Sequence, residues 1–187
     1  MAMAKNTLTA DSILDHAIIL AQKSSWQSFS LVELALLLDC SLSDIKQFYR
    51  SKDDMAEALF NLADDAMLNL ALDKKHQNLT SNEKLFNAIM AWFDSLMPYR
   101  PLVREILAYK LGPGHFHLQA HGITRISRTV QWFLEAADRK NTGCKRITDE
   151  MAVTSAYLIS FRSFLCDHSE GHMKTRQLLE RLLRHVS

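Results

Sequence analysis

The chain is poor in the residues that build turns, staples and membrane spans. Among 187 residues there are only 5 Gly and 3 Pro. An all-β chain needs many more turn residues, so strands joined by tight turns are excluded as the main architecture. The three cysteines, Cys40, Cys144 and Cys166, are odd in number and widely spaced. They predict reduced thiols in a cytoplasmic protein, not a disulfide frame or a zinc site. No apolar run approaches the ~20 residues that cross a bilayer, so no membrane partner is expected. Met1 to Thr9 has one Lys and no apolar stretch long enough for a secretory signal. An excess of charge is missing too: 22 Lys and Arg stand against 21 Asp and Glu, a net +1. Wholesale polyanion binding is thereby disfavoured, and only a local basic patch remains open.

Catalytic patterns are equally scarce. The chain has no Gly-rich phosphate loop, no G-x-S-x-G and no H-E-x-x-H. No spacing of Ser, His and Asp singles out a triad. Cys40 has Asp39 beside it, which raises rather than lowers a thiol pKa. An enzyme is not expected, nor any cofactor. His115-x-His117-x-x-x-His121 puts imidazoles at helical spacing. No carboxylate or Cys accompanies them, so they read as solvated or capping histidines, and no metal is expected.

What the chain has in quantity is apolar residues, 48%, enough to bury a core. Their spacing is helical. Thr9 or Asp11 opens a series through Ile13, Leu14, Ala17, Ile18, Leu20 and Ala21. Ser30 with Glu33 is a capping-box pattern, Ser41 with Asp44 is its acidic form, and Ser51 with Asp54 repeats it before a run to about Ala71. Two very short helices separated by Asp39-Cys40 predict a helix-turn-helix. The first helix supplies a third wall, with Ile13, Ala17, Leu20, Trp26, Phe29, Leu34, Leu38, Ile45 and Phe48 or Tyr49 in the core. Further helices are expected over Leu85–Met97, Leu102–Leu111, His115 to about Lys140, Thr148 to about Cys166, and a final one through Leu178, Leu179, Leu182, Leu183 and Val186. The expected fold is all-α. Residues 1–52 form a three-helix helix-turn-helix head, and residues 53–187 a helical ligand-binding and dimerisation domain.

Residues 28 to 60 carry Glu33-Leu34-Ala35 and Tyr49-x-Ser51-Lys52-Asp53-Asp54-Met55, with Ile13-Leu14-x-x-Ala17 upstream. This segment resembles the DNA-binding head of TetR-type transcriptional regulators, over roughly 50 residues. The resemblance implies a homodimeric, ligand-responsive regulator that binds a double-stranded operator and is released from it by a small apolar ligand, most simply as a repressor. Lys46 and Lys52 are then phosphate contacts. Ser43 and Gln47 are base readers, Ser30 and Ser41 donate to phosphate from helix starts, and Tyr49 either contacts phosphate or packs in the head. In place of the family's usual Gly-Val-Ser turn stands Asp39-Cys40-Ser41, and Asp39 can occupy a left-handed turn position at modest cost, so the turn is expected to survive. Asp44 is expected to cap its helix.

Charge runs against the usual balance of a DNA-binding head. Residues 1–62 hold five cations and eight anions, a net −3, and the remainder holds +4. A second and looser resemblance accompanies that deficit. Ser25-Trp26, Leu59 to Met67, and Phe164-Leu165-x-Asp167-x-Ser169-Glu170-Gly171 are similar to ubiquinone-biosynthesis lipid-binding proteins, which share the fold without binding DNA. Phe86, Met90, Phe93, Met97, Trp132 and Phe133 either line an apolar ligand cavity or form a packed core. Two apolar helices at the end predict a two-fold bundle over residues 148–186, with Leu158, Phe161, Leu179 and Leu183 at the dimer interface.

Overall fold

A computed structural model describes residues 8–112 and 116–186. It contains ten α-helices and no strand among those residues: α1 Ala10–Lys23, α2 Leu31–Leu37, α3 Leu42–Phe48, α4 Lys52–Ala71, α5 Lys74–Gln77, α6 Ser81–Leu96, α7 Arg100–Leu111, α8 Phe116–Ala136, α9 Gly143–Cys166 and α10 Met173–Leu183. Single 3₁₀ turns, Met97–Tyr99 and Glu170–His172, precede α7 and α10. No helix is long and apolar enough to cross a membrane.

The chain divides into two compact units. One is Met1–Asn61 with Leu102–Tyr109, and the other Leu62–Pro101 with Lys110–Ser187. The division falls inside α4. Met55, Ala56 and Leu59, in the first half of that helix, are buried and belong to the first unit.

The first unit is built from its caps inward. Thr9 Oγ1 accepts from Ser12 N–H and starts α1. Ser30 and Glu33 exchange both bonds of a capping box, and so do Ser41 and Asp44. Ile13, Ala17, Trp26, Phe29, Leu34 and Ile45 fill the core, each no more than 2% exposed. Between α2 and α3, Asp39 takes φ 49°. Cys40 N–H donates to Ala35 O at 3.0 Å, and Asp39 N–H to Leu36 O at 3.4 Å. This six-to-one, five-to-two pair is a Schellman stop, which favours Gly at the left-handed position. Asp39→Gly is expected to raise stability by about 0.5–1 kcal/mol, from relief of about 1–2 kcal/mol of left-handed strain less about 0.4–1 kcal/mol of added chain entropy. Urea titration at constant m-value measures it. Leu102, Val103 and Ile106 of α7 are buried in this unit, and Glu105 Oε2 accepts from Trp26 N–H at 2.7 Å.

The second unit is organised around α6, whose Leu85, Ile89, Phe93 and Leu96 are fully buried. α8, α9 and α10 pack on it. Trp92, Phe93, Phe133, Tyr157, Phe161 and Phe164 form an aromatic cluster. Phe93 stacks on Phe164 at 5.2 Å, and Tyr157 meets both Trp92 and Phe133 edge-on, at 5.4 and 5.2 Å. Asp167 fixes the start of α10. One carboxylate oxygen accepts from Ser169 N–H and Oγ–H, and the other from Thr175 N–H and Oγ1–H. Burial alone raises its pKa. The four hydrogen bonds outweigh that and hold the carboxyl well below the usual carboxylate range.

Candidate nucleic-acid interface

α2 and α3 stand in a helix-turn-helix, and the periodicity of α3 decides which side chains face out. Ile45 and Tyr49 point into the core, at 1% and 8% exposure. Ser43 and Gln47, four apart on the opposite side, are exposed, as is Lys46 on the flank. These three expected contacts share one open face.

The remaining four are engaged within the chain. Tyr49 is buried, and its hydroxyl donates to Ala10 O at 3.1 Å, joining the end of α3 to the start of α1. Of its two expected roles it takes the packing one. Ser41 Oγ accepts from Asp44 N–H at 3.1 Å and donates to Asp44 Oδ2 at 2.7 Å. Its hydroxyl proton is therefore given to a carboxylate, not left for a phosphate. Ser30 Oγ accepts from Glu33 N–H, and the Glu33 carboxylate accepts from Ser30 N–H at 2.7 Å. At both helix starts a side-chain anion already occupies the place where an incoming phosphate would be favoured. Lys52 Nζ donates to Phe29 O at 2.9 Å and to Gln27 O at 3.3 Å, and lies 4.1 Å from the Phe29 ring centre. Burial lowers its pKa, and Glu33 nearby pulls it back up. Lys52 thus clamps the segment before α2. Arg50 is exposed and pairs with Asp54 at 3.3 Å. The Cys40 thiol is raised by burial first, then by Asp44 and Asp39.

In the second unit, Met90 and Phe93 on α6 and Phe133 on α8 lie in the interior, and Phe86 is half-buried. Met97 and Trp132 are exposed, at 51% and 42%. Of the expected pocket set, three are therefore interior, and two face outward. Sequence reasoning missed the polar centre beside them. Asp64 Oδ1 accepts from Trp92 Nε1–H at 2.8 Å and from Thr129 Oγ1–H at 3.2 Å, and Asp64 Oδ2 accepts from Arg125 at 2.8 Å. Burial raises the Asp64 pKa; Arg125, Trp92 and Thr129 offset part of the rise. No local pattern marks such a group, because its partners are 28 to 65 residues away.

Leu179 and Leu183 are buried inside a single chain, at 0% and 3%, and Phe161 sits at 9% in the aromatic cluster. Their surfaces are already used within the protomer, since α10 turns its apolar side onto α6 and α9. Leu158 keeps 38% of its surface open and shares a stripe of α9 with Ile147 and Met151, both more exposed. A polar cleft of about 240 Å³ lies where α8 turns into α9, lined in part by Gln131, Glu135, Lys140 and Arg146. His115 lies outside the described residues, as does the side chain of His117; His121 is exposed. Among the described residues no three His, Cys, Asp or Glu side chains come together as a metal site.

This arrangement defines a helix-turn-helix protein with a separate helical body. No family model matches the chain, and no curated protein matches it. Solved structures do. A TetR transcriptional regulator from Nitrosomonas europaea is 36% identical with a TM-score of 0.83, and the match covers 95% of this chain and 97% of that one. A TetR transcriptional regulator from Rhodococcus sp. RHA1 is 15% identical with a TM-score of 0.63, over 94% and 95% of the two chains. A regulatory protein of the same family from Rhodococcus RHA1 is 19% identical with a TM-score of 0.50, over 95% and 96%. The last two share the fold. The chain belongs to the TetR family of transcriptional regulators. Its neighbours do not favour the lipid-carrier alternative, and the Asp167-x-Ser169 stretch that suggested it serves here to fix the start of α10.

Proposed function

We propose that the protein is a cytoplasmic one-component regulator that binds a double-stranded DNA operator as a homodimer and is released by a small, mostly apolar effector. The observation that carries this reading is the open face of α3, where Ser43, Lys46 and Gln47 point outward while Ile45 and Tyr49 anchor the helix. In a helix-turn-helix the second helix enters the major groove, and dimers read two half-sites. Gln47 offers bidentate hydrogen bonding to a base edge, and Lys46 offers a point charge to phosphate. Met90, Phe93 and Phe133 supply an adaptable apolar interior for the effector. α4 is one continuous helix through both units, so an effector that prefers one of its positions shifts the heads. If that shift weakens operator binding, the unliganded protein is a repressor and the effector releases it.

The test is retention of genomic fragments flanking the gene by the full-length protein at low and moderate salt. Lys46→Ala is expected to weaken all sequences alike and to flatten the salt slope by roughly one unit. Gln47→Ala is expected to relax preference at one base pair, at about 1–3 kcal/mol. Failure to retain any fragment at low salt would remove DNA as the partner. With residues 1–62 at a net −3, operator binding should be weaker than that of a protein whose corresponding segment is basic, at equal salt.

A further inference from the structure

We infer that the effector is an amphipathic carboxylic acid whose carboxylate takes the place of Asp64 on Arg125. This rests on the interior of the second unit being the effector site, as proposed above. Asp64, on α4, and Arg125, on α8, are paired at 2.8 Å, and both are buried. An ion pair in an apolar interior gains little stability over an apolar pair of the same volume, which leaves a further role open to it. The pair is continuous with the aromatic cluster. Trp92 donates its indole N–H to Asp64 Oδ1 and meets Tyr157 and Phe161 edge-on, both at 5.4 Å. A molecule with a charged end and an apolar body finds both surfaces one side chain apart. Ser160, one turn beyond Tyr157 on α9, is fully buried, and its hydroxyl has no partner among the described residues. Thr154 and Ser155 on the same helix donate theirs to the carbonyls of Glu150 and Met151. The Ser160 hydroxyl is a buried donor open to a ligand.

The sign of the ligand's charge follows from which partner can change. Arg125 cannot lose its proton, so a cationic ligand would stand beside a second fixed cation. Asp64 can be neutralised. Burial raises its pKa, and Arg125 is the largest influence opposing that rise. When a ligand carboxylate takes the guanidinium, Asp64 gains a proton on Oδ2 and still accepts from Trp92 and Thr129 through Oδ1. Asp65, on its own helix, also favours the neutral form. Tyr157, on α9, is held as the neutral phenol by burial and by Asp64, and adds no charge. Each acid bound therefore brings in one proton and unties α4 from α8 at this point. α4 is the helix that continues into the first unit.

The test measures, by calorimetry on the full-length protein, the binding of aryl and medium-chain alkyl carboxylates, each beside its own carboxamide and primary amine. Carboxylates are expected to bind about 10- to 100-fold more tightly than the matched amides, the worth of hydrogen bonding to a charge. Their Kd should rise about tenfold per pH unit through neutral pH, because a proton enters with each acid. Asp64→Asn removes both the competitor and the proton, so acids should bind it more tightly than the wild type and without a pH slope. Asp64→Asn combined with Arg125→Met removes the charge pair altogether, and acids and amides should then bind alike. The inference fails if amides or amines bind as well as acids, if acid binding is independent of pH, or if the double variant keeps the preference for acids. The interior then remains an effector site for another class of molecule. If no compound of the panel binds at any pH, the interior is a packed core, and the effector reading falls together with this inference.

Discussion

Arg125→Met is expected to lower the unfolding free energy by about 3–5 kcal/mol, the cost of leaving a buried charge without its partner. Asp64 and Arg125 are paired at 2.8 Å, with side chains 11% and 9% exposed. Burial of Asp64 already works against its charged form, and Arg125 is the largest opposing influence. Removing the guanidinium therefore raises the Asp64 pKa further. A carboxyl whose folded pKa exceeds its unfolded value is stabilising below the unfolded pKa, and that stability is lost as pH rises through the folded pKa. The deficit of Arg125→Met should thus shrink as pH falls toward the ordinary carboxylate range. Adding Asp64→Asn removes the stranded charge and keeps an oxygen for Trp92 and Thr129. The double variant should recover at least half of the loss. Urea midpoints of the four proteins of the cycle, at two pH values, measure it. A double variant no more stable than Arg125→Met would mean that packing, not charge, sets the cost.

That pair also marks the limit of what the sequence discloses. Caps are written within four residues, so both Ser30 with Glu33 and Ser41 with Asp44 were readable and both form. The left-handed turn at Asp39 was readable for the same reason. A third pattern, Ser51 with Asp54, forms only in part. Asp54 N–H donates to Ser51 Oγ at 3.2 Å, while the Asp54 carboxylate accepts from Arg50 N–H at 2.9 Å. The mirror case is Thr80 with Glu83, a complete capping box that opens α6 four residues before its first expected residue. α9 likewise begins at Gly143, a turn before the apolar run that announced it, because polar residues extend a helix without altering its apolar stripe. Periodicity tells which residues turn inward, but not against what. Leu179 and Leu183 have the spacing of an interface, and the chain's own α6 and α9 cover them. The outward face of α3 was legible because its inward residues are apolar. That Lys52 is engaged at home was not, since its partners, the Phe29 and Gln27 carbonyls, are backbone groups common to any loop.

Substituting Met151 and Leu158 together by Glu is expected to give a monomer, with operator affinity lower by a factor of about 10²–10⁴, the gain that linking two heads confers. Ile147, Met151 and Leu158 are 60%, 66% and 38% exposed and recur every four to seven residues along α9. Large apolar side chains in one exposed stripe mark a surface covered by a partner, and a two-fold axis lets the same stripe cover itself. The outward side of α10 instead carries Lys174, Gln177, Glu180, Arg181 and Arg184. Within the expected bundle of residues 148–186, apolar contact is therefore assigned to α9, with α10 as a charged flank. Glu at both positions places four carboxylates across such an axis, a repulsion that also has to be desolvated. Both residues are exposed in the protomer, so its folding should change little. Leu179→Ala provides the contrast. It empties a site buried within one chain and should cost about 2–5 kcal/mol of stability, while the molecules that remain folded still associate. Sedimentation at micromolar concentration separates the two outcomes. If the double Glu variant sediments as a dimer, α9 is not the interface. If the unsubstituted protein sediments as a monomer, a two-headed operator complex has no basis.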